Sequence, residues 1–210
     1  MALHEVNRAK LVQSMIEKIG SATTKGLILL EGGKQTTRYD TDHEPVFRQE
    51  SYFHYLFGAA LYADCFGVIS LPEGETTLFV PTWGVDTETV CGASPKFEIV
   101  QKELGVERVL GVGDLKGFVE GEMERMRTEE QEDEKKSSGT EDKAASSSDD
   151  APKLYLLHGL NSDSGNYATP AFYEGIENFK DVRDEDTLFG CLVECRVIKV
   201  SRYIEPVFIL

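Results

Sequence analysis

The chain has 210 residues, 40% of them hydrophobic and 28% charged, and a formal net charge of −15. That length supports one domain, or one and a half, with a proper buried core, and the composition is that of an ordinary α/β protein. The charge argues against nucleic acid and anionic membranes as partners, since both present phosphate. No apolar run is long enough to span a bilayer, and the opening Met-Ala-Leu-His-Glu-Val lacks the apolar core of a secretory leader. Cys65, Cys91, Cys191 and Cys195 show no close disulfide or zinc spacing, which predicts free thiols in a reducing cytoplasm.

Val12, Met15, Ile16 and Ile19 fall on one helical face, so residues 5–19 are expected to form a helix that stops at Gly20. The run Gly26-Leu-Ile-Leu-Leu predicts a buried strand feeding a loop at Gly32-Gly33. Residues 52–57 read as a second strand. Residues 65–70 and 76–81 form a β-hairpin around Pro72-Glu-Gly-Glu. A short helix is expected at 86–91, and a strand at 108–112. Asp114 then caps a helix reaching about Met126. Between 120 and 151, twelve Asp/Glu stand against five Lys/Arg, a net of −7 with almost nothing apolar after Met126. This predicts a disordered acidic insertion at about 127–152. Within it, Ser146 and Ser147 each precede an acid by three residues, although a plain solvated tether is the simpler reading. Order resumes with a strand at 153–158, and in the closing segment 187–199 residues 195–199 are expected to form a last strand or the lead into a helix. Alternating strands and helices indicate a sheet with helices against it.

The stretch from Gly32 to Gly58 holds Arg38, Asp40, Asp42, Glu44, Arg48, Gln49 and Glu50 between two apolar runs. Connections of this length in a small domain are functional or disordered, and the aromatic content opposes disorder. The bland reading of Arg48 and Glu50 is a surface ion pair of little worth.

Chemistry is hard to assemble from these residues. Leu156-Leu-His158-Gly159 resembles the oxyanion loop of α/β-hydrolases, but no Gly-x-Ser-x-Gly elbow occurs anywhere. Gly32-Gly33-Lys34 lacks the frame of a phosphate loop. His4, His43, His54 and His158 stand singly, and Cys191-x-x-x-Cys195 has no partner pair. Asp40, Asp42 and Glu44 could hold a hard cation weakly, but such a row is more often solvated.

Four blocks, in order, resemble the N-terminal domain of the Xaa-Pro dipeptidase (prolidase) family, a domain shared with aminopeptidase P and creatinase. They are Arg38-Tyr-Asp-Thr-Asp-x-Glu with Phe47-Arg-Gln-Glu-Ser-x-Phe-x-Tyr-Leu-Phe-Gly58; Gly67-Val-Ile with Thr77-Leu-Phe-Val-Pro81; Leu156-Leu-His-Gly-Leu-Asn-Ser-Asp-Ser-Gly165; and Glu194-Cys-Arg-Val-Ile-Lys199. The resemblance implies a mixed β-sheet flanked by helices, ribonuclease-H-like in type. In the family this domain precedes a pita-bread catalytic domain, where two Asp, one His and two Glu hold two manganese ions. A metal-bound hydroxide there cleaves dipeptides ending in Pro or hydroxyproline. The N-terminal domain builds the dimer and walls off the partner subunit's active site. Two departures stand out. The family pattern ends after Lys199, so every metal ligand falls outside the sequence. Val90 also occupies the register of a family Trp and Thr82 that of an Arg, with Trp83 a substitute only under a shifted register.

The expectation is therefore one α/β domain over 1–199, interrupted by the acidic insertion, with a divergent tail at 200–210 and no catalytic domain. It has no catalytic or metal-ligating residue, binds no cofactor, and is inactive alone; manganese belongs to the family's catalytic half. Arg38, Asp42, Arg48, Gln49, Glu50, His54, Asn161 and Asp163 are expected to order loops or form an interface. Phe47, Tyr52, Phe53 and Phe57 are expected in the core. Partners are a second copy in a homodimer or the missing catalytic domain, with dipeptide substrate bound only in the full enzyme. The alternatives are a free-standing binding or dimerisation module and, more remotely, an α/β-hydrolase-like enzyme.

Overall fold

A computed structural model describes residues 3–20, 25–137 and 151–204. The elements run α1 (Leu3–Ile19), β1 (Gly26–Glu31), α2 (Ser51–Phe57), β2 (Phe66–Leu71), β3 (Thr76–Val80), α3 (Val85–Cys91) and α4 (Phe97–Leu104). Then come β4 (Arg108–Gly111), α5 (Leu115–Ser137), β5 (Lys153–Leu156), β6 (Gly159–Leu160), β7 (Tyr167–Ala168), β8 (Arg183–Asp184) and α6 (Thr187–Ile204).

Six strands form one mixed sheet in the order β4-β3-β2-β1-β5-β8. The hairpin places β2 antiparallel to both β1 and β3. β4 joins β3 in parallel, and β5 joins β1 in parallel. Successive side chains on a strand face opposite sides, and this alternation splits the core in two. Ile28, Leu30, Ile69, Leu78 and Tyr155 pack on the side of α1, α2, α4 and α6. Leu27, Leu29, Val68, Phe79 and Leu154 pack on the side of α5, against Val119, Met123 and Met126. Helices on both faces explain why β1 and β2 read as unbroken apolar runs. Near the start of β2, a Cβ on Gly67 would lie 2.2 Å from the Phe57 ring, so the missing side chain lets α2 press onto the sheet.

Three expectations need correction. Residues 52–57 form the helix α2, not a strand. A Glu50 side-chain oxygen accepts the Phe53 backbone N–H at 2.7 Å, and Gly58 ends the helix at φ 72°. Phe53, Leu56 and Phe57 then share one buried face at helical spacing. Asp114 closes a 3₁₀ turn (Val112–Asp114), and the helix after it runs to Ser137, well past Met126. Residues 127–137 of the expected insertion are thus helical, supported on one side by Arg125, which reaches Glu122 and Glu129 at 2.7 and 2.6 Å. Residues 138–150, with Ser146 and Ser147, lie outside the described residues. The 187–199 segment is wholly helical, and its first turn is held by Asp184, whose carboxylate accepts from Thr187 N at 2.9 Å and Thr187 Oγ1 at 2.8 Å. Tyr52 and Phe47 are only partly buried, whereas Phe53 and Phe57 are fully so.

Candidate functional site

β1 and β5 run side by side in one direction, and their C-terminal ends open into a cleft of about 500 Å³. Its walls include Glu31, Gly33, Lys34, Glu50, Tyr167 and Thr169. Open α/β sheets bind their ligands outside the carboxyl ends of the strands, where this cleft lies.

Gln49 builds one side. Its Oε1 accepts the backbone N–H of Gly33 at 2.5 Å and of Glu50 at 2.9 Å. Its Nε2 donates to the carbonyls of Ala59 at 2.8 Å and Tyr62 at 2.9 Å. A side-chain amide has two donors and two acceptor sites, and all four are used. The start of the long loop is thereby tied to the segment that follows α2. Two backbone bonds reinforce the tie: Gly32 N to Cys65 O and Asp64 N to Gly33 O, both 2.8 Å. Glu50 lines the cleft while capping α2.

The remaining predicted residues are scattered. Arg38 and Asp42 lie exposed in the outer turn of the loop, where Arg38 N donates to His43 O at 2.7 Å. Arg48 is exposed beside a shallow pocket shared with Lys34 and Val46. Among the described residues it makes no ion pair with Glu50. His54 lies midway along α2, one turn past the Glu50 cap and outside the cleft lining, against His4. Asn161 Oδ1 accepts the backbone N–H of Asp163 and Ser164 at 3.0 and 3.1 Å, shaping the turn between β6 and β7. Asp163 itself is exposed. Of the eight, only Glu50 lines the cleft, with Gln49 beside it holding the lining residue Gly33. Trp83 is engaged within its own loop, its indole N–H donating to Gly92 O at 2.9 Å.

Sequence reasoning missed Glu31 and Tyr167. The Glu31 carboxylate holds Lys34 at 2.8 Å and accepts the Phe172 N–H at 3.1 Å. Hydrogen bonding and attraction to Glu31 raise the Lys34 pKa. The only signal was the three-residue spacing of Glu31 and Lys34. Tyr167 stacks on His158 with ring centres 5.3 Å apart, which gives that histidine a packing role beside the cleft.

The arrangement offers one paired cation, two carboxylates and an aromatic wall. Cys65, the thiol near the loop, is buried, and burial pushes its pKa up to about 12, so it is not an activated nucleophile. Among the described residues no three His, Cys, Asp or Glu side chains gather as metal ligands, and no helix is long and apolar enough to cross a membrane. Such a surface has the groups to dock and order another chain.

The family described as aminopeptidase P, N-terminal domain, matches residues 4–129. Xaa-Pro dipeptidases of Rattus norvegicus and Homo sapiens are each 31% identical to the chain over 205 residues, covering 98% of this chain and 35% of theirs. The chain thus spans about a third of the length of these relatives. A match of that extent continues past Lys199, where the family pattern is expected to end. A structure from Bacillus anthracis assigned to aminopeptidase P overlays with a TM-score of 0.59 at 15% identity, over 93% of this chain and 40% of that one. That likeness establishes the fold.

Proposed function

The chain belongs to the aminopeptidase P N-terminal domain family, and from that premise we propose that it is the dimer-building, substrate-enclosing part of a manganese metallopeptidase cleaving Xaa-Pro dipeptides. The observation that carries this reading is the loop between β1 and α2. Gln49 pins its base, yet Tyr39 and Val46 on its outer part remain 90% and 82% exposed. Large apolar groups held out on an anchored loop suit a surface that another body covers. That body is the catalytic domain or a second copy of the chain, with Arg38, Asp42, Arg48, Asn161 and Asp163 at the contact.

The donor set implied for manganese, two Asp with one His and two Glu, is not assembled among the described residues. In this proposal metal and hydrolysis belong to the catalytic domain, as the family resemblance implies, and the residues here carry no chemical step. The buried free thiols Cys65, Cys191 and Cys195 support a cytoplasmic location.

The purified chain, given manganese and Gly-Pro, is expected to release no proline. An immunoblot of native cells against residues 38–58 is expected to show a band well above 23.4 kDa. Hydrolysis by the chain alone would place the chemistry here and overturn the proposal. A native band only at 23.4 kDa would favour the free-standing binding module instead.

A further inference from the structure

We propose that His4 and His54 form a two-histidine site for a borderline transition-metal ion, Zn²⁺ or Ni²⁺, that staples α1 to the last turn of α2. The two residues are fifty positions apart in sequence, on different helices, yet their ring centres are 5.7 Å apart with planes inclined at 60°. Zinc–nitrogen bonds are about 2.0–2.1 Å, so two imidazoles sharing one ion have ring centres roughly 5–6.5 Å apart.

The tautomer of His4 suits a ligand. Its Nδ1 is 3.0 Å from the Tyr55 carbonyl, which can only accept, so Nδ1 carries the proton and Nε2 keeps its lone pair. An imidazole that donates its other N–H to a carbonyl is the usual state of a metal-bound histidine. The absent side chain at Gly58 lets the His4 ring pack closely against the end of α2. A Cβ there would fall 2.6 Å from His4 Nε2, and φ of 72° already favours glycine. His54 is exposed, so its ring is free to turn a nitrogen towards His4 Nε2. Two imidazole nitrogens, with water completing the shell, select borderline metals over magnesium or calcium. The chain's charge of −15 further favours cation capture. The site is independent of the peptidase reading, because neither histidine lines the cleft.

The test is calorimetric titration of the full chain with ZnCl₂ at pH 7.5, alongside thermal unfolding with and without zinc. One ion per chain is expected, with a rise in Tm. His54→Gln, at an exposed position, should keep the metal-free Tm, weaken binding at least tenfold and abolish the zinc-induced rise. His4→Gln should do the same to binding, with some loss of metal-free stability. No binding, or binding that survives His54→Gln, would overturn the proposal.

Discussion

The two ends of α2 are held by opposite means. At its C-terminal end, α1 supplies a closed set of donors. His4 and Asn7 reach the Tyr55 carbonyl, and the buried Arg8 guanidinium donates to the carbonyls of Leu56, at 2.9 Å, and Gly105. A cation at a helix C-terminus also suits the helix dipole. At the N-terminal end the holding groups are Gln49 and Glu50, both partly exposed, and Glu50 lines the cleft. One end is locked into the core; the other orders a loop whose outer surface stays open. A short helix with one fixed end makes a firm post for a loop that must be presented to something else.

Substitutions can break this contrast. The largest effect is expected from Arg8→Met, which leaves buried carbonyls unpaired and removes charged hydrogen bonds, at about 3 kcal/mol of stability. Urea unfolding would measure it, and cleavage of the native loop by a trace protease should stay near the wild-type rate. Gln49→Ala should cost less globally, about 2 kcal/mol, but speed cleavage between Thr36 and Phe47 several-fold. Equal loop cleavage in the two variants would mean that the ends of α2 are not independently held. The smallest effect is expected at the rim. Lys34→Met removes an exposed pair with Glu31, worth under about 0.5 kcal/mol. The Lys34 pKa is raised, so that small contribution should be constant below the usual lysine value and fade as pH climbs through the raised one. Urea unfolding at pH 8 and pH 11 would show whether the wild-type advantage disappears.

Much of the fold is legible in sequence where a pattern is long or carries its own punctuation. α1 shows helical spacing, the β2–β3 hairpin shows its turn, and β1 and β5 are unbroken apolar runs. α2 is not legible, because a short, mostly apolar stretch satisfies strand and buried helix alike, and its cap is a glutamate outside the usual capping set. β7 and β8 are two residues each and exist only through their partners. The 115–137 helix is obscured by acidic composition, which hides the Arg125 pairs that run along it. At the candidate site, Gln49 stands out as an unusual residue, but its four hydrogen bonds arise from segments brought together only by folding. Arg8 gives no sign of its role, since a charged residue on a helix is ordinarily solvated.

Met126 is the last buried residue of α5 among those whose side chains are described, and the helix continues for eleven more, to Ser137. At a rise of 1.5 Å per residue, that is about 16 Å of helix. β5 takes its register from its parallel pairing with β1 and not from the chain that leads to it. A longer or shorter lead into β5 therefore adds only a logarithmic entropic cost, and the sheet and its cleft can tolerate rewriting there.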